Sequence, residues 1–208
     1  MSHSHLVSYV KLSPNCNKPR NGPIDRITIH CVVGQCTVES LGALFASPSR
    51  QASANYGIGY DGRIACYVEE EDRSWCSGNR ENDHRAITIE VASDATAPFA
   101  VTKEAYAALL DLVEDICRRH GIRPNYTGDL KGNMTLHKWF QATACPGAYL
   151  EGKHPEIAAE VCRRLDQNTF YRVQVGAFRE KENALRQQAA LREAGFADAF
   201  VVEVKDHA

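Results

Sequence analysis

The sequence lacks any apolar run near the roughly 18 residues that span a bilayer, and it carries almost no net charge. Its 208 residues set 24 Lys and Arg against 26 Asp and Glu, a formal −2 at pH 7. The first absence argues against membrane insertion. The second removes any bulk attraction to nucleic acid or anionic lipid. The opening MSHSHLVSYVKLSPNC does not read as a secretory signal, because it has no basic segment followed by a long apolar one. Synthesis in the cytoplasm without a signal peptide is therefore expected, with His3 and His5 part of a mobile end. No internal repeat or low-complexity tract is present, which excludes solenoids and arrays.

Cysteine is abundant, at positions 16, 31, 36, 66, 76, 117, 145 and 162. Disulfide frameworks belong to small exported domains, so buried reduced thiols are expected, and Cys31 with Cys36 is the best candidate for any bond. An apolar content of 44% over this length suffices for one substantial domain plus a small appendage. Composition shifts at Asp166-Gln167-Asn168-Thr169, dividing a main domain, 1–166, from a piece at 169–208.

Periodicity outlines the elements. Arg26 to Val33 alternates, with Ile27, Ile29 and Cys31 on one face and Thr28, His30 and Val32 on the other, which predicts a strand. Thr37 can cap a short helix that Pro48 stops. Asn55 to Tyr60 and Arg63 to Val68 flank Asp61-Gly62, a hairpin signal. Arg85 to Ala92 is a second alternating strand that places Thr88 and Glu90 opposite its apolar side. A long amphipathic helix runs from about Thr102 to His120, with a cationic last turn and Gly121 beyond it. Asn125 to Asn133 reads as loop, and Pro155 opens a last helix to about Leu165. Beyond 169 the order is strand (Phe170 to Phe178), helix (about Lys181 to Ala194) and strand (Phe200 to Val204).

A single His on a strand is more often structure than ligand, and a Cys before Pro is usually a small buried group. Their combination carries more. His137 and Cys145 stand eight residues apart across a loop of small residues, and His30 faces away from the main apolar side. Two imidazoles and a thiolate leave a fourth tetrahedral position open, the pattern of catalytic zinc.

The segments ITIH (27–30), SANYGIGYDGRI (53–64), AITIEV (86–91), LHKWF (136–140) and ATACPG (142–147) resemble, in order, the motifs of the N-acetylmuramoyl-L-alanine amidase type 2 family. Peptidoglycan recognition proteins and amidase-type phage lysozymes share that fold. The resemblance spans about Ile24 to Leu165. It implies an α/β fold, a mixed central sheet flanked by helices, here with a small C-terminal β-α-β appendage. It also implies one Zn2+ per chain on His30, His137 and Cys145, and cleavage of the amide between N-acetylmuramic acid and L-alanine. Glu90 matches the acid/base Glu of some relatives. Thr143 stands where others carry a Lys, offering a hydrogen bond but no charge to the oxyanion. Asn55 and Tyr56 are expected at the floor of the site and His84, in a polar loop, beside the glycan. Trp75 and Trp139 either stack on sugar or fill core, with core favoured for Trp139.

The tail resembles the first half of a sporulation-related (SPOR) repeat, which binds glycan strands. It implies wall binding, or a homodimer in which two chains pair their halves. The expected partner is thus peptidoglycan, through glycan and stem peptide, with no nucleic acid and no membrane. A phage or prophage endolysin fits best, reaching the wall after release by a holin or lysis. Two other readings are a non-catalytic receptor of the same fold, which often lacks the ligand Cys, and a cysteine peptidase using Cys145.

Overall fold

The computed structural model describes residues 3–167 and 174–204. The chain divides into two compact units, Met1–Asn168 and Thr169–Ala208. In chain order the first holds β1 (Tyr9–Val10), β2 (Cys16–Asn17), β3 (Arg26–Val33), α1 (Val38–Ala46), β4 (Tyr56–Ile58), β5 (Ile64–Cys66), β6 (Arg73–Ser74), α2 (Arg80–Arg85), β7 (Ala86–Ser93), α3 (Lys103–His120), β8 (Met134–Thr135) and α4 (Gly147–Gln167). Six strands form one mixed sheet in the order β1-β5-β4-β7-β3-β8, while β2 and β6 pair separately. Within the large sheet only β4 and β5 run antiparallel.

The alternation in β3 and β7 sorts the sheet's two faces. Ile27, Ile29, Ile87, Ile89 and Val91 pack with Leu109, Val113 and Ile116 of α3 and Ile157 and Val161 of α4. The opposite face is also covered, because Val38, Leu41 and Phe45 of α1 join Ala54, Ala65 and Tyr67 there. Sandwiching on both sides is usual for parallel strands. It leaves Thr28, His30 and Thr88 with no exposed surface, so each polar atom needs a partner. The Thr28 and Thr135 hydroxyls lie 2.8 Å apart, and the Asn82 amide reaches Thr28 at 3.0 Å. Ser74 contacts Thr88 at 2.7 Å.

Thr37 caps α1 and Thr102 caps α3, which ends on Gly121 in the left-handed region. The hairpin closes through five residues rather than a two-residue turn. Gly59 N–H bonds the Arg63 carbonyl, and only Gly62 takes a positive φ. Gly62 N–H bonds the Gly59 carbonyl at 3.0 Å, and Asp61 accepts the Arg63 N–H, so side chain and backbone together close the turn. The expected loop NRENDHRA contains α2, capped by Asn79. Its acidic residues 81 and 83 lie in the first turn and its basic residues 84 and 85 in the last, which offsets low propensity with favourable end charges.

Pro155 does not open a helix but lies inside α4. Leu150, Ile157 and Val161 of one face are all buried, so packing on both sides of Pro155 outweighs the hydrogen bond it lacks. In the second unit the described residues hold one helix, α5 (Lys181–Glu193), and no strand. The expected strand Phe200 to Val204 is therefore not formed, and part of Phe170 to Phe178 lies outside the described residues. A parallel pair there would have to form a sheet of two strands, which rarely stands alone. All eight cysteines are free, Cys31 and Cys36 included.

His3 and Ser4 do not form a loose end. Ser4 is buried, and its N–H donates to the Tyr56 hydroxyl at 2.8 Å, which donates to Glu70 at 2.6 Å. Arg119 holds both Glu70 oxygens at 2.5 and 2.7 Å, and His120 lies 2.8 Å away. Burial alone would raise the Glu70 pKa, but the bonds from Arg119, His120 and Tyr56 bring it down to about 2. A carboxyl lowered on folding stabilises above its unfolded value and loses that contribution as pH falls toward 2. Glu70→Gln would leave Arg119 to Asp115 alone, 2.8 Å away, and weaken its charged hydrogen bonds at a cost of about 2–3 kcal/mol, or roughly 5–10 °C in Tm for a unit this size. Melts at pH 7 and pH 3 check this. The gap to the parent protein should narrow in acid, and equal Tm values at pH 7 would refute it.

Candidate metal centre

Parallel pairing sets one row of the site. β3 and β7 align His30 with Glu90, and β4 adds Gly57 opposite Glu90. Residues so paired point to the same face, here the α1 side. Gly57 has to be glycine, since a Cβ there would lie 2.4 Å from the Tyr67 ring.

β8 pairs with β3 only as far as Thr28, so the chain beyond it wraps past the level of His30. His137 begins a single 3-10 turn, His137–Trp139. Lys138 N–H donates to the Cys145 carbonyl at 3.2 Å, which ties that turn to the cysteine loop. Gly147 fixes the loop's exit. Its φ is +80°, and a Cβ there would lie 2.9 Å from Phe99.

Together these segments bring one donor atom each of His30, His137 and Cys145 within 4.8 Å of one another. Cys145 Sγ lies 3.4 Å from His30 Nδ1. A sulfur at 2.3 Å and a nitrogen at 2.0–2.1 Å from one tetrahedral ion stand roughly 3.5 Å apart, so this pair suits zinc without rearrangement. The imidazole rings meet edge-on, with centroids 4.9 Å apart. Burial, with His137 and His154 nearby, holds His30 well below the usual histidine range, and burial lowers His137 too. Both rings are thus neutral and able to ligate near pH 7.

Cys145 and Cys31 hydrogen-bond each other. That bond, then burial, pushes the Cys145 thiol up, while the same bond brings Cys31 down. A thiol bound to a metal gives up its proton. Glu90 is raised to about 8, chiefly by burial and next by Cys31. Its Oε1 lies 3.7 Å from the Cys76 thiol, and its Oε2 is shut from solvent without a partner. His30, Cys76 and Glu90 also bring their donor atoms within 4.8 Å.

Thr143 is exposed and accepts the Cys145 N–H at 3.2 Å, leaving its O–H able to donate. Asn55, Tyr56 and His84 do not offer substrate a surface. Asn55 and Tyr56 have no exposure, and Asn55 joins Thr88 to the Val68 and Glu69 carbonyls. His84 lies in α2 and accepts the Asn21 N–H at 3.0 Å. Trp139 is half-buried and stacks on Tyr126 at 6.0 Å rather than filling core. Reading the sequence missed Cys31 and Cys76 beside the site. Each looks like any other buried thiol until strand register and the Cys145 loop bring the pieces together.

Residues 20–148 match the family model described as N-acetylmuramoyl-L-alanine amidase. Residues 148–206 match the SPOR domain model, beginning inside α4 rather than at 169. No curated protein matches the chain. Among solved structures, a PlyL mutant is 15% identical with TM-score 0.58, covering 74% of this chain and 96% of its own. A mutant endolysin from Bacillus subtilis is 20% identical with TM-score 0.56, covering 74% and 99%. The amidase LysCS from Clostridium intestinale URNW is 19% identical with TM-score 0.55, covering 77% and 98%. These likenesses establish the mixed α/β fold. No helix among the described residues is long and apolar enough to cross a membrane.

Proposed function

The chain belongs to the N-acetylmuramoyl-L-alanine amidase family, and on that premise we propose that it hydrolyses the bond between N-acetylmuramic acid and L-alanine in bacterial peptidoglycan, with one zinc ion on His30, His137 and Cys145. The observation that carries this reading is the convergence of those three donors, with Cys145 Sγ 3.4 Å from His30 Nδ1.

Zinc bound there would acidify a water molecule and polarise the scissile carbonyl. The rest falls to the chain. Glu90 takes a proton from the attacking water and delivers one to the departing alanine nitrogen. Burial raises its pKa to about 8, and a cation on the neighbouring donors would favour the ionised form that accepts the proton from water. Thr143 donates a hydrogen bond from its hydroxyl to the carbonyl oxygen as charge develops there. The products are the lactyl carboxylate of muramic acid and a stem peptide with a free amine. A receptor that does not hydrolyse has no need of the third donor, so Cys145 favours the enzyme.

In this reading the second unit holds glycan strands, alone or paired with a second chain, and the protein acts as an endolysin once a holin or lysis admits it to the wall. Digestion of purified walls, with and without a zinc chelator, tests the chemistry. New free amino groups should appear, new reducing ends should not, and complete zinc removal should stop the release. Reducing ends without amino groups would mean a glycosidase. Amino-group release unaffected by full zinc removal would exclude the metal.

A further inference from the structure

A second cluster of metal-binding donors lies elsewhere in the sheet. Cys66 ends β5, which is separated from β3 by β4 and β7. Glu69 follows three residues later, and His3 reaches the same place from the N-terminal segment. One donor atom of each lies within 4.8 Å of the other two. His3 Nδ1 stands 3.0 Å from Glu69 Oε2, with only 12% and 15% of their side chains exposed. Cys66 has no exposed surface, and its thiol makes one long contact, 3.6 Å to the Val68 carbonyl.

His3 is held there by its neighbours. The Ser4 N–H is bound to Tyr56, Ser8 N–H donates to the Ile64 carbonyl at 2.9 Å, and β1 pairs with β5 so that Val10 opposes Cys66. Glu70, next to Glu69, is already neutralised by Arg119 and does not compete.

We propose that His3, Cys66 and Glu69 form a second site for a divalent, zinc-like cation, which fastens the N-terminal segment to the end of β5. A thiolate, a neutral imidazole and a carboxylate are donors that zinc accepts. Two anionic ligands against one dication leave no net charge in a nearly closed place, which is the condition for burying charge cheaply. Binding releases one proton, from the Cys66 thiol, and replaces the His3–Glu69 hydrogen bond by two bonds to the ion. Without a cation, burial followed by Glu69 and Glu70 pushes that thiol up to about 12, so it stays protonated and inert.

The test counts zinc on the full chain after loading and removal of excess metal. The parent protein should hold two equivalents, and His3→Ala and Cys66→Ser one each. Cys145→Ser should also hold one, and that one should vanish on adding His3→Ala. Cobalt gives an independent readout, since Cys145→Ser should keep a thiolate-to-cobalt absorption band that His3→Ala removes. If Cys66→Ser fails to fold, the partly exposed His3 still permits the comparison. A single equivalent lost with Cys145 and unaffected by His3→Ala overturns the second site and leaves the amidase centre standing. A single equivalent lost with His3 and kept in Cys145→Ser does the reverse.

Discussion

Glu90→Gln should lose at least a hundredfold in turnover on peptidoglycan while retaining its zinc. Positioned acid-base groups contribute about 10²- to 10⁴-fold, and Gln keeps the volume and most of the polarity of Glu but cannot move a proton. Two features make the effect large. Glu90 aligns with His30 across β3 and β7, so its carboxyl is placed by backbone pairing rather than by a loop. Its Oε2 is buried with no hydrogen-bond partner within the described residues, so no other group of the fold uses that oxygen. The variant should fold normally, since burying an amide is easier than burying a carboxylate. Zinc content, Tm and amino-group release together check this. Full turnover in the variant would remove Glu90 from the chemistry. Loss of zinc along with turnover would make it a structural support.

Cys145→Ser should lose the ion held with His30 and His137, and activity with it, amino-group release falling to about a thousandth or less of the parent rate at limiting zinc, as expected when the ion supplying the nucleophile is gone. Serine is smaller and stays neutral where zinc requires an anionic thiolate. His30 and His137 remain, so millimolar zinc should restore part of the activity, which it cannot do for Glu90→Gln. A variant that binds zinc as tightly as the parent would exclude Cys145 as a ligand. Loss of activity in a variant that keeps the parent's full zinc content, together with inhibition of the parent by thiol alkylation but not by a chelator, would favour a cysteine nucleophile.

Much of this was legible in residue order. The alternation in Arg26–Val33 gave both the strand and the separate face of His30, and Thr37, Thr102 and Gly121 marked helix ends through local chemistry. The carboxylate and the three donors were each recognisable as types in a motif order. What could not be read was what covers them. Alternation says that Thr28 and His30 leave the apolar face, but not that α1 and the Asn82 network close the other. Pro155 misled because the packing of Leu150 and Ile157 around it is a tertiary fact. Asn55 and His84 have side chains that could suit a binding surface, and only burial shows them used within the fold.

The distance along the chain between the donors has a consequence for assembly. His30 and Cys145 are 115 residues apart, and everything between them, including β7 and α3, must be in place before they meet. The entropy of closing so long a loop falls on the folding of the whole unit, not on the ion. A nascent chain, or one cut in the loop at 125–133 and allowed to open, has the same ligands but no pocket. Bound metal therefore reports the native population, and its binding free energy adds to the stability of that state alone.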